Sequence, residues 1–149
     1  MSGGGVRDFY LLKAGPCRHT EAVVLRGGSW RPAVVPSLFA LIRHPNAGWV
    51  MFAPGYATHF PDATRPFPER LYRWTTPVFC DTADNARDRL TEIGVAPEDI
   101  GYVFLSHFHG DHVAGLRDFP SARFICARAG LNAMTGFSRF GGLLKGYLP

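Results

Sequence analysis

The chain is 149 residues long, with 16 basic against 12 acidic side chains, a net charge of +4, and 46% hydrophobic against 19% charged residues. That balance excludes a wholly disordered chain, and the length suits one domain or half of a larger one. No apolar run reaches the roughly 18 residues of a membrane span and the Met-Ser-Gly-Gly-Gly start lacks a signal peptide's basic and apolar regions, so no membrane partner is expected. Cys17, Cys80 and Cys126 are odd in number and scattered, which fits a reducing cytoplasm better than a disulfide scaffold.

Gly3 to Gly5 read as a frayed terminus. Residues 22–25 (Ala-Val-Val-Leu) predict a short strand closed by the turn signal Gly27-Gly28. Two further apolar runs, 38–42 and 49–53, flank His44-Pro45-Asn46-Ala47-Gly48, a separator that predicts a β-hairpin. Residues 54–76 hold Pro54, Pro61, Pro66 and Pro68 and show no regular period, as in a long functional loop. Within it Arg65, Arg70 and Arg73 alternate with Phe67, Tyr72 and Trp74. Such a stripe can face nucleic acid, but no recognised nucleic-acid module accompanies it.

Ala83, Ala86, Leu90 and Ile93 step by 3, 4 and 3 and predict a helix, capped by Asp81 or Thr82 and stopped at Gly94. Residues 102–105 (Tyr-Val-Phe-Leu) form a buried-strand run, 113–117 a short helix, 122–126 a strand and 127–134 another helical piece. The order α-β-α-β-α from residue 82 onward predicts a layered α/β fold.

Between the buried strand and the short helix stands Ser106-His107-Phe108-His109-Gly110-Asp111-His112. At this composition the run H-x-H-x-D-H arises by chance in about one such chain in two thousand. On an extended backbone His107 and His109 project to the same side, and a bend at Gly110 can swing Asp111 and His112 beside them. Imidazole nitrogens with a carboxylate suit zinc, and also manganese, iron or cobalt. Crowded imidazoles repel one another when protonated and become useful only as neutral ligands. His19, His44 and His59 stand alone and read as loop residues, with His59 a further ligand candidate from the loop beside the hairpin. No G-x-S-x-G elbow, phosphate loop or dinucleotide fingerprint is present.

At 104–116, and in the preceding Val95-Ala96-Pro97-Glu98-Asp99-Ile100, the sequence resembles the metallo-β-lactamase-fold hydrolases. The long stretch before the motif is similar to the lactonase-like branch. The resemblance implies an αββα sandwich over residues 1–149, present as its N-terminal half and incomplete at the C-terminus. It implies a metal-bound hydroxide attacking a small-molecule lactone, β-lactam, thioester or related ester or amide. By position His107 and His109 would hold one zinc and Asp111 and His112 a second, with Asp111 also a catalytic residue that orients the water or takes its proton.

Two departures stand out. Ala53-Pro54 replace the family's Asp-Thr, removing a supporting carboxylate. No His follows His112, where the family supplies a later His, a bridging Asp and a final His. The alternatives are therefore a catalytically incompetent truncated metal-binding remnant, or a nucleic-acid-processing member of the same fold. One layered half would also leave an apolar sheet face uncovered, through which self-association is expected.

Overall fold

A computed structural model describes residues 5–148; of the glycines read as a frayed terminus, Gly3 and Gly4 lie outside them. One mixed sheet organises the chain, its strands lying side by side in sequence order, β1 (Asp8–Thr20), β2 (Pro32–His44), β3 (Gly48–Phe52), β4 (Ile100–Leu105) and β5 (Arg123–Cys126). The first three pair antiparallel, and β3–β4 and β4–β5 pair parallel. The helices are short: α1 (Glu21–Val24), α2 (Phe60–Ala63), α3 (Arg70–Thr75), α4 (Ala86–Glu92), α5 (Gly110–Val113), α6 (Arg128–Thr135) and α7 (Arg139–Leu144).

The predicted hairpin is β2–β3. Its turn places Gly48 at φ +70°, and His44 Nδ1 accepts the N–H groups of Asn46 and Ala47 at 3.2 and 3.1 Å. His44 is thus not a loop residue but the last residue of β2, with the structural task of holding the turn that follows. The strand predicted at 22–25 is instead the single turn α1, at the tip of the β1–β2 hairpin. Its β-branched residues favour a strand, but Leu25 N–H closes on Glu21 O at 2.8 Å and the Glu21 carboxylate takes both the N–H and the hydroxyl of Ser29. Inside 54–76 the structure places α2 and α3, neither of which has a sequence period long enough to see. The helix expected from residue 83 starts later, where Asn85 Oδ1 accepts from Asp88 N–H; Asp81 caps only the preceding 3-10 turn at Thr82–Asp84. The helix expected at 113–117 is shifted as well. α5 ends at Val113, and a 3-10 turn over Leu116–Asp118 follows.

Register divides the sheet into two faces. The row Tyr10–Leu41–Met51–Val103–Phe124 crosses all five strands on one side. There Leu41, Met51 and Val103 are fully buried beneath Ala86 and Leu90 of α4 and Phe119. The adjacent row, Leu11–Ala40–Phe52–Phe104–Ile125, lies on the other side. Here Phe52 stacks on Phe104 with ring centroids 5.2 Å apart, yet Leu11 is 61% exposed, and Phe9, Leu38 and Ile125 are exposed too. The expected uncovered apolar face is therefore present among the described residues.

Glu69 is buried and held by Arg139 of α7, whose Nε donates to Oε1 at 3.0 Å and Nη2 to Oε2 at 2.6 Å. Burial pushes this carboxyl up, but the hydrogen bonds and charge of Arg139 outweigh it and leave Glu69 below the ordinary carboxylate range. A depressed carboxyl contributes stability that is present above its unfolded pKa and lost as the pH falls through its folded value. Arg139→Ala is accordingly expected to lower Tm at pH 7. The gap from the parent protein should close as the pH is taken down through the carboxylate range, in a melting series read by circular dichroism.

Candidate metal centre

The parallel pairing of β3 with β4 brings their C-terminal ends side by side, and the site forms there. β3 gives way to Ala53, which is buried, has φ +49° and donates its N–H to Phe104 O at 3.0 Å. Gly55 follows at φ +77°, where a Cβ would lie 2.5 Å from the Cβ of Ala14; that position needs glycine for both conformation and space. Gly115 N–H donates to Gly55 O at 2.9 Å and ties this bend to the segment after the motif.

β4 delivers the chain to Ser106, whose hydroxyl lies 3.0 Å from His107 Nδ1. His109 is the N-cap residue of α5, and its carbonyl accepts from His112 N–H at 2.9 Å. The helical turn therefore swings Asp111 and His112 back over His107. The imidazole of His107 stands 4.0 Å from that of His112 and 4.6 Å from that of His109, centroid to centroid. Ligand atoms of His107, Asp111 and His112 lie within 4.8 Å of one another. Asp111 Oδ2 is 3.4 Å from His112 Nε2. His109 is exposed, and its ring lies 5.6 Å from that of Tyr147. The structure thus gathers three of the four motif residues and sets His109 at their side.

Gly110 serves the bend by its size. It does not adopt the left-handed conformation, but a Cβ there would lie 3.0 Å from Leu148 Cδ1 and 3.1 Å from the Tyr72 hydroxyl. The tyrosine below it was not legible as part of this neighbourhood. Tyr72 Oη lies 2.8 Å from Tyr56 Oη, and burial pushes the Tyr72 hydroxyl up to about 12.

The electrostatics favour a cation. Burial first, then the neighbouring His112 and His109, lower the pKa of His107 against the opposing pull of Asp111, so its ring is neutral at pH 7. Burial pushes Asp111 up, but the hydrogen bond and charge of His112 carry it below its ordinary value, and it is ionised. His112 Nδ1 is buried without a hydrogen-bond partner among the described residues. The neutral His107 ring, an anionic carboxylate and the orphaned ring nitrogen of His112 are together a donor set that fits a divalent ion.

His59 does not join them. Its Nε2 is 2.6 Å from Ala114 O and its Nδ1 is 3.6 Å from Asp118, which fastens α2 to the segment behind the motif. His19 lies in β1 with Nδ1 accepting from Thr20 N–H. In the Arg-aromatic stripe, Arg65 pairs with Asp62, Arg73 donates to Pro61 O, and Arg70 lies over both Phe67 and Trp74. These cations are engaged within their own segment.

The profile of the metallo-beta-lactamase superfamily matches residues 33–142. The N-acyl homoserine lactonase AttM of Agrobacterium fabrum is 28% identical over 122 residues, which is 81% of this chain and 46% of that protein. Ribonuclease Z of Streptococcus suis is 35% identical over 43 residues, 29% of this chain and 14% of that protein. Among solved structures, an N-acyl homoserine lactone hydrolase with the product N-hexanoyl-L-homoserine bound at its catalytic metal center superposes with a TM-score of 0.72 at 20% identity. That match covers 93% of this chain and 56% of that one. AidC, a dizinc quorum-quenching lactonase, gives 0.61 at 15% identity over 91% and 48%. The chain spans about half the length of the curated lactonases it matches.

Proposed function

Because this chain belongs to the metallo-beta-lactamase superfamily, we propose that it carries the first half of the metal centre of a hydrolase that opens small-molecule lactones, N-acyl homoserine lactones before β-lactams or thioesters. The observation that supports this best is the cluster His107–Asp111–His112, set at the strand ends of a fold shared with lactonases. The residue assignment is that His107 and His109 serve one zinc and Asp111 and His112 a second. Two side chains per ion is short of the usual three, so further donors are needed to complete each shell. A bound divalent ion there would supply Lewis acidity and an activated water.

The chain's own residues have definite parts in this scheme. In it the ionised Asp111 would hold a water by accepting its hydrogen and would take its proton. Ser106 holds His107 from behind through Nδ1, which fixes the ring's orientation. Tyr56, Tyr72 and Leu148 fill the space that a side chain at position 110 would need, which reserves the bend for glycine.

The test is turnover by the zinc-loaded chain on a panel of one γ-lactone with an N-acyl chain, one β-lactam and one thioester, alongside metal content. Faster opening of the lactone, abolished by Asp111→Asn, supports the reading. Stoichiometric metal with no turnover on any member supports the incompetent metal-binding alternative. Among partners, a second copy through the open sheet face is part of the same proposal. Leu11→Ser with Phe9→Ser is expected to move the chain to smaller species in sedimentation velocity, and an unchanged distribution would remove that partner.

A further inference from the structure

The tip of the β1–β2 hairpin has a surface that neither the sheet nor the metal centre explains. Arg18 pairs with Val34 and Thr20 with Pro32 in the last rungs of the ladder, and beyond them the chain projects as α1 and a turn. Trp30 is 82% exposed there, with Val23 at 60%, Leu25 at 58% and Val34 at 62%. A Cβ at Gly27, which sits at φ +83°, would meet nothing within 4 Å, so the turn opens to solvent at that residue. The tip is also rigidly built. Glu21 N–H donates to Arg31 O, Ala22 N–H to Ser29 O and Gly28 N–H to Leu25 O, while the Glu21 carboxylate is folded back onto Ser29.

The charges around the apolar residues are mainly basic. Arg26 and Arg31 are exposed and pair with no carboxylate among the described residues, and the segment's one acid, Glu21, has its carboxylate engaged at the surface by the N–H and hydroxyl of Ser29. The tip is the end of one hairpin and not a broad sheet face. It does match what a bilayer surface takes: Trp and aliphatic side chains that enter the headgroup boundary, flanked by arginines that meet anionic headgroups. Docking of this kind needs no spanning helix, and no helix among the described residues is long and apolar enough to cross a membrane.

We propose that the hairpin tip formed by Val23, Leu25 and Trp30 with Arg26 and Arg31 docks this protein on an anionic lipid surface. The test is sedimentation with vesicles of phosphatidylcholine alone and of phosphatidylcholine with 30% phosphatidylglycerol, using the full chain. Binding should be confined to the anionic vesicles and weaken with salt. Arg26→Glu with Arg31→Glu should cut partitioning on the order of tenfold or more, and Leu25→Ser should lower it on both sides of the salt titration. Brominated acyl chains should quench an emission component that disappears in Trp30→Phe, which separates the tip from the open sheet face. Equal binding to both vesicle types overturns the proposal, as does binding without quenching of Trp30. Tip substitutions that change self-association while leaving lipid binding untouched would assign the tip to a protein partner and overturn it as well.

Discussion

His107→Ala is expected to reduce zinc retention by about a hundredfold or more, while His19→Ala leaves it unchanged. Removing a partner that only supports a metal ligand already costs about 10–100-fold in affinity, so losing a donor in the cluster should cost at least as much. His107 is the hub, since its ring lies 4.0 Å from His112 and 4.6 Å from His109 and its ligand atom belongs to the close set with Asp111 and His112. His19 is spent on its own backbone. Metal content after dialysis, and the visible spectrum of the cobalt-substituted protein, read the difference; equal retention in the two variants would discard the site. The pH dependence has a sign. Protons compete with metal for imidazole, and the protonated form of His107 is held down by burial and its neighbours. Retention should therefore persist to a lower pH than an ordinary imidazole allows, and then fall.

Leu90→Ala should destabilise the fold by about 2–5 kcal/mol, lowering Tm by several degrees, whereas Leu11→Ala should stay within about 0.5 kcal/mol when measured at a dilution where the chain is monomeric. Both remove the same atoms. Leu90 is fully buried between α4 and the sheet, so its loss leaves a cavity against Leu41, Met51 and Val103, while Leu11 already faces solvent. Paired urea titrations measure both. A large loss at Leu11 would mean that something covers that face in solution.

The motif was legible because metal ligation demands particular side chains at particular steps, a demand that survives any rearrangement of the surroundings. The hairpin over 38–53 was legible for a related reason, since Pro45, Asn46 and Gly48 write the turn locally. β1 was not. It is apolar on both faces, is broken by a register shift between Ala14 and Pro16, and contains a proline and a glycine that read as punctuation. Gly15 is there because a Cβ would lie 2.6 Å from that of Cys80, a contact between residues 65 positions apart that no local pattern shows. α1 failed in the opposite sense. Val23 and Val24 read as a strand, and the Glu21–Ser29 contact across the turn overrode their propensity. Likewise His59 was legible only as an isolated imidazole. Its attachment to Ala114 and Asp118 exists because the sheet brings α2 beside the segment that follows the motif.

Strand order along the sheet is the same as strand order along the chain. Each strand leaving the ribosome therefore finds its partner already made at one growing border, and none has to wait for a later one to be inserted beside it. The slow step in such a vectorial build-up is the crossover from β3 to β4, because 47 residues (53–99) must emerge before the parallel rung can close. Nascent chains halted short of residue 100 should hold a three-stranded meander, and the imidazole cluster can form only after that border has advanced by one more strand.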